Sequence, residues 1–406
     1  MTWLYSRFSA FAVGLLCLLV APDALAQPLA YRDNDGVWRW THVSGQPSLV
    51  AKSTNATETM GSFRVTFEDV DLGNGVGFDD PNAGAARRAT LRAVLQYLSA
   101  ILDVRGTADI VVFESDTDGT GALASAGPLL QRRVGFQGGL VFEHLTTGSD
   151  PRGDAPDGTV SVDFGFEWNS DRDPPTETEF DLYTGLLHEV THALGFFSAV
   201  GEDGRSELLN DGSEGLFSFL DSFLFRSADE RFLYLAGGEI NSENDDALSA
   251  DLFFNAPLAI SSFGESPQVF APRTFFEGSS IAHWDPSVGA DAVMLPILSR
   301  GNLRRELTPW EIQVLGDLGY DLRPCVDPAE GATDCEVEVP DDPGVDAGPG
   351  VVGGNPPDED SGSFGTIQES GGCQVASGRN PVGAFTMGVL LLLWVCRRRR
   401  PRFEEA

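Results

Sequence analysis

Apolar and polar positions along the chain follow two periods. Gly61 to Val70 (GSFRVTFEDV) sets Phe63, Val65 and Phe67 at alternate positions and predicts a strand. A helix follows: Asp80 can cap it, Pro81 suits its first turn, and Leu91, Val94, Leu95, Leu98, Ile101 and Leu102 recur at helical spacing. Ala108 to Glu114 (ADIVVFE) reads as a buried strand. His144, in GGLVFEHLTTG, falls on another predicted strand, where a satisfied polar role suits it. Gly158 to Phe166 alternates cleanly, with Val160, Val162, Phe164 and Phe166 on one face. Leu182, Leu186, Val190 and Leu194 then mark a helix with a buried face. From Phe197 to about Ser280 the pattern weakens into short apolar pieces among Gly, Ser, Asn and Asp. A last helix opens on Thr308-Pro309-Trp310-Glu311, a capping box with proline at its first position, and stops at Gly319. This order predicts an α+β domain with a mixed sheet and a long insertion at about 197–280.

The ends of the chain have a different composition. Arg7, the apolar run Phe11 to Val20 and the small-x-small site Ala24-Leu25-Ala26 predict a signal peptide over residues 1–26. The folded domain is expected over 27–324, followed by an acidic, Gly/Pro-rich disordered spacer over 325–372. Residues 373–406 hold Cys373, an apolar run from Phe385 to Cys396 and then Arg397 to Arg400. They resemble a C-terminal sorting signal of the myxobacterial type. That resemblance implies processing near Cys373, contact with membrane or sorting machinery, and display at the cell surface. A plain transmembrane tail anchor in the bacterial envelope is the other reading of the same segment. Export permits a disulfide between Cys325 and Cys335. The net charge of -34 repels polyanions and argues against nucleic acid as a partner. It admits calcium on the exterior. Asp116-Thr117-Asp118-Gly119 hints at calcium too, but Gly127 stands where an EF-hand needs glutamate.

The chemistry concentrates in LLHEVTHALGFF. His188 and His192 are four apart, so on a helix both imidazoles reach one metal ion, and zinc suits them. Glu189 stands beside the first histidine as candidate general base, and Gly195 allows a sharp turn after the second. Gln27 to Pro324 has no cysteine, so the ligands there are not thiolates. A catalytic zinc needs a third protein ligand. Ser198 occupies the position six after His192, which breaks the compact HExxHxxGxxH pattern. Glu202, Glu207, His42, His144 and His283 remain as residue types that can coordinate.

HEVTHALGF, a long insertion, then AHWD followed by VMLP is similar to the leishmanolysin-like branch of the metzincins, as is the closing LTPWEIQVLGDLGYDL. The resemblance covers about residues 186–196 and 280–322. It implies a metzincin-like zinc peptidase domain with His188, His192 and His283 as zinc ligands, Glu189 as general base and Met294 as a turn methionine beneath the metal. The function it implies is a secreted or cell-surface zinc endopeptidase acting on proteins or peptides. The alternative is a surface adhesion or binding module on the same fold without turnover; retention of Glu189 favours the enzyme. An edge strand usually holds the peptide in this class, with Gly158 to Phe166 as candidate.

Overall fold

The computed structural model describes residues 29–32, 38–40, 57–68, 75–114, 117–150, 152–153, 155–208, 215–241, 251–332, 334–336 and 374–375. The signal segment, His42, most of the acidic spacer and the apolar run 385–396 lie outside them.

A five-stranded sheet forms the framework. Its strands are β1 (Thr57–Met60), β2 (Phe63–Phe67), β3 (Ala108–Glu114), β4 (Ala124–Pro128) and β5 (Gly158–Val162), in the order β1-β2-β3-β5-β4. β2, β3 and β5 run parallel, while β1 and β4 are antiparallel to their neighbours. The predicted strand 61–70 is therefore the second half of a hairpin. Its turn is at Gly61, whose φ of 61° suits glycine. Helix α1 (Gly84–Ile101) crosses from β2 to β3, and Asp80 Oδ1 accepts the Asn82 and Ala83 N–H groups just ahead of it.

β5 corrects the alternation reading. It ends at Val162, and all five of its residues are buried: it lies between β3 and β4 in the sheet, and the helix Leu182–Ala193 packs against it. It is an interior strand; the edges are β1 and β4. His144 lies on helix α2 (Gly139–Thr147), not on a strand. Leu140, Val141, His144 and Leu145 form its buried face, and Gly148 ends it in the left-handed conformation.

Helix α3 (Leu182–Ala193) packs against β4, β5 and α1. Leu182, Leu186, Val190 and Leu194 enter the same core as Val65, Leu95, Ile110 and Val160. Each such side chain contributes roughly 1.5–3 kcal/mol by leaving water, so packing seats the helix and with it the histidines. Asp181 caps α3 by accepting Thr184 N–H at 2.9 Å, and Arg305 pairs with the same carboxylate at 2.6 Å.

The insertion holds short strands at Leu216–Ser218, Leu224–Arg226 and Leu252–Phe254 and the helix α4 (Pro257–Phe263). α4 packs on the closing helix α5 (Pro309–Asp317), which carries the expected capping box between Thr308 and Glu311. Cys325 and Cys335 form a disulfide. The architecture is α+β: the helix that carries His188, Glu189 and His192 against a mixed sheet, then a long insertion before the distal histidine. That is a metzincin-like zinc-peptidase topology.

The expectation of a transmembrane tail is corrected. Among the described residues no helix is long and apolar enough to cross a membrane. The apolar run 385–396 lies outside them. Anchoring in the envelope by a C-terminal span is withdrawn with it.

Candidate metal centre

His188 and His192 project from one face of α3, and His283 arrives from the far end of the insertion. The three Nε2 atoms form a near-equilateral triangle. His188 lies 3.1 Å from both His192 and His283, and His192 lies 3.2 Å from His283. All three side chains are buried.

Each ring is fixed from behind. His188 Nδ1 faces Val293 O at 2.9 Å, His192 Nδ1 faces Phe196 O at 2.5 Å, and His283 Nδ1 faces Ser279 O at 2.8 Å. A carbonyl oxygen only accepts, so each Nδ1 carries the proton and each Nε2 presents a lone pair to the centre. Three lone pairs converging at such distances repel one another unless a cation lies between them. A tetrahedral ion with Zn–N bonds of ~2.0 Å would space its ligand nitrogens about 3.3 Å apart. Spacing, neutral imidazoles and carbonyl-bound Nδ1 atoms thus all fit one zinc ion.

Local structure explains how the ligands are delivered. After α3 the chain reverses at Gly195, φ 111°, which brings Phe196 O back to His192. Ile281, buried two residues before His283, sits at φ 69°. A β-branched residue there is a true outlier, at a cost of about 1–3 kcal/mol. Hydrogen bonds hold it: Ile281 N–H donates to Phe270 O at 2.8 Å, and Phe270 N–H donates to His283 O at 2.9 Å. Trp284 fills the space behind, against Phe196, Phe254 and Trp310. Asp285 caps the turn at 286–288 by accepting Ser287 N–H.

Glu311 has a second task that sequence reasoning missed. Besides closing the capping box, its buried carboxylate accepts Val293 N–H at 3.1 Å and Met294 N–H at 2.9 Å. Burial raises its pKa, opposed by these backbone hydrogen bonds. Met294 is fully buried, and the carbonyl of its neighbour Val293 fixes His188. Glu311→Ala strands the amides of Val293, Met294 and Thr308, so we expect a loss on the order of 3 kcal/mol of stability in denaturant unfolding. Unchanged unfolding would show that these bonds are dispensable.

Ser198, at the compact ligand position, instead hydrogen-bonds the buried Asp221, which also accepts Ala199 N–H and Ser218 N–H. Glu202 and Glu207 do not join the histidine cluster. Burial pushes the Asp221 pKa up to about 6. The folded chain therefore takes up this proton as pH falls through about 6, whereas the unfolded chain does so only near ~4. The buried charge costs stability at neutral pH, and that cost is relieved on acidification across this window. Measured by thermal unfolding, the parent should gain on Asp221→Asn between pH 7 and about 4.5; parallel pH curves would contradict this.

The structure brings His188, His192 and His283 together with Glu189 adjacent on α3 and fully buried. This donor set suits a single zinc ion and is consistent with catalytic zinc-peptidase chemistry. Comparison with protein-family models, curated proteins and solved structures returns no match.

Proposed function

We propose that the chain is an exported zinc-dependent endopeptidase that hydrolyses peptide bonds in proteins, with His188, His192 and His283 holding the metal and Glu189 as general base. The observation that carries this reading is the triangle of Nε2 atoms at 3.1–3.2 Å, each ring tethered through Nδ1 to a carbonyl.

When bound, zinc supplies Lewis acidity that makes a water acidic near neutral pH and polarises the scissile carbonyl. Glu189 takes the water proton as the oxygen attacks the carbonyl carbon, then delivers it to the amine nitrogen as the C–N bond breaks. The Nδ1–carbonyl bonds keep the three imidazoles neutral and oriented, and Glu311 keeps Val293 O in place for one of them. The separation of 91 positions from His192 to His283, with Met294 after them, supports the leishmanolysin-like branch. Residues 1–26 support export, and Cys373 with the basic cluster supports processing of the tail. The described residues add no support for calcium: Asp118 is engaged by Thr120 N–H and its hydroxyl.

Metal dependence tests the reading. Cleavage of an unfolded protein should stop with a zinc chelator and return when zinc is restored; cleavage that persists in metal-free protein would overturn it.

A further inference from the structure

A second cluster with metal-ligand chemistry lies at the N-terminal ends of the parallel strands. Asp109 is the second residue of β3, His144 sits in the last turn of α2, and Asp150 lies in the loop beyond. One ligand atom from each falls within 4.8 Å of the others. We propose that these three residues bind a second divalent transition-metal ion of the zinc class, which clamps α2 and its following loop to the sheet.

Asp157, a third carboxylate beside this cluster, is fully buried just before β5. Its Oδ2 accepts the Asp109 backbone N–H at 2.8 Å and lies 2.8 Å from His144 Nδ1. Its Oδ1 is buried with no hydrogen-bond partner among the described residues. Asp157 thus stands between two of the three ligand-bearing residues and holds the imidazole by Nδ1. That leaves Nε2 as the coordinating atom, the carboxylate–histidine–metal arrangement in which a carboxylate sets the ring's tautomer and basicity.

Charge balance points the same way. Asp109, Asp150 and Asp157 all act on one guanidinium, that of Arg64, which pairs with Asp109. Carboxylate oxygens have more than one lone pair, so Asp109 can accept from Arg64 and still coordinate. A cation bound there would offset this surplus of negative charge. An imidazole with two carboxylates selects against calcium, which takes oxygen ligands, and suits zinc or manganese. With bonds of ~2.0–2.2 Å, the cluster closes on one ion by shifts of about 1 Å or less. Asp150 is half-exposed on a loop, where such a shift is cheap.

The rival is a protonated His144 paired with Asp157 and no metal. Titration of the metal-free full chain with zinc chloride, followed by calorimetry, separates the two. Cys373 and Cys396 bring thiolates of their own, so the variants decide rather than the parent's count. Asp150→Asn retains the oxygen that accepts the Arg152 and Gly153 N–H groups, so its fold should survive. We expect Asp150→Asn and His144→Gln each to weaken one zinc equivalent by at least about 10-fold and to leave the other unchanged. A His188→Ala/His192→Ala variant should still bind that equivalent, whether or not the chain is a peptidase. If neither Asp150→Asn nor His144→Gln alters any zinc-binding step, the second site is overturned.

Discussion

Glu189→Gln should lower peptide hydrolysis by roughly two to four orders of magnitude, the usual worth of a positioned general base, with metal content unchanged. Glutamine keeps the shape of this fully buried side chain, so the core around α3 has no cavity to fill. It cannot take a proton from water. The three tethered histidines are untouched, which separates loss of base from loss of metal. Measurement of kcat/KM beside zinc content checks the pair of outcomes. Full activity in the variant would remove Glu189 from the mechanism; loss of zinc together with activity would make its role structural.

His283→Ala should have an effect of similar size by another route. It leaves two imidazoles on α3 where a catalytic zinc takes three protein ligands. Zinc affinity should fall by more than about 100-fold, since losing a mere supporting partner already costs 10–100-fold. Activity at limiting zinc should fall with it. Competition against a chelator of known affinity gives the number. Unaltered affinity would mean that another group, Glu202 or Glu207 being nearest in sequence, completes the site.

These two residues differ in how readily the sequence disclosed them. The paired histidines were legible because helical periodicity puts them one turn apart on one face, Glu189 because it stands beside the first of them, and Leu182, Leu186, Val190 and Leu194, on another face, mark the helix as one that packs into the core. His283 carried no such local signal. It reaches the site through contacts no window captures: the bridge between Val269 and Trp284, the Phe270–His283 hydrogen bond and the left-handed Ile281. Only the likeness of AHWD and VMLP to a known family pointed there.

Other parts were misread for identifiable reasons. Alternation in Gly158–Phe166 suggested one exposed face, but β5 is interior to the sheet and buried on both sides. His144 was placed on a strand because GGLVFEHLTTG is short and rich in β-formers; Gly148 as a left-handed cap and the buried spacing of Leu140, Val141, His144 and Leu145 were the helix signals present. Glu311 was read for its capping box alone, since a side chain that serves a helix start and a distant turn at once announces only the nearer task. The capping box, the disulfide and the closing helix, all set by neighbours in sequence, stand as expected.

Peptidase activity is tested most directly by mass spectrometry of an unfolded protein after incubation with the zinc-loaded chain. New termini at internal peptide bonds, absent from a parallel incubation with Glu189→Gln, are expected. An intact substrate despite full zinc occupancy, or the same cleavage by both proteins, would rule out a zinc peptidase with Glu189 as its base.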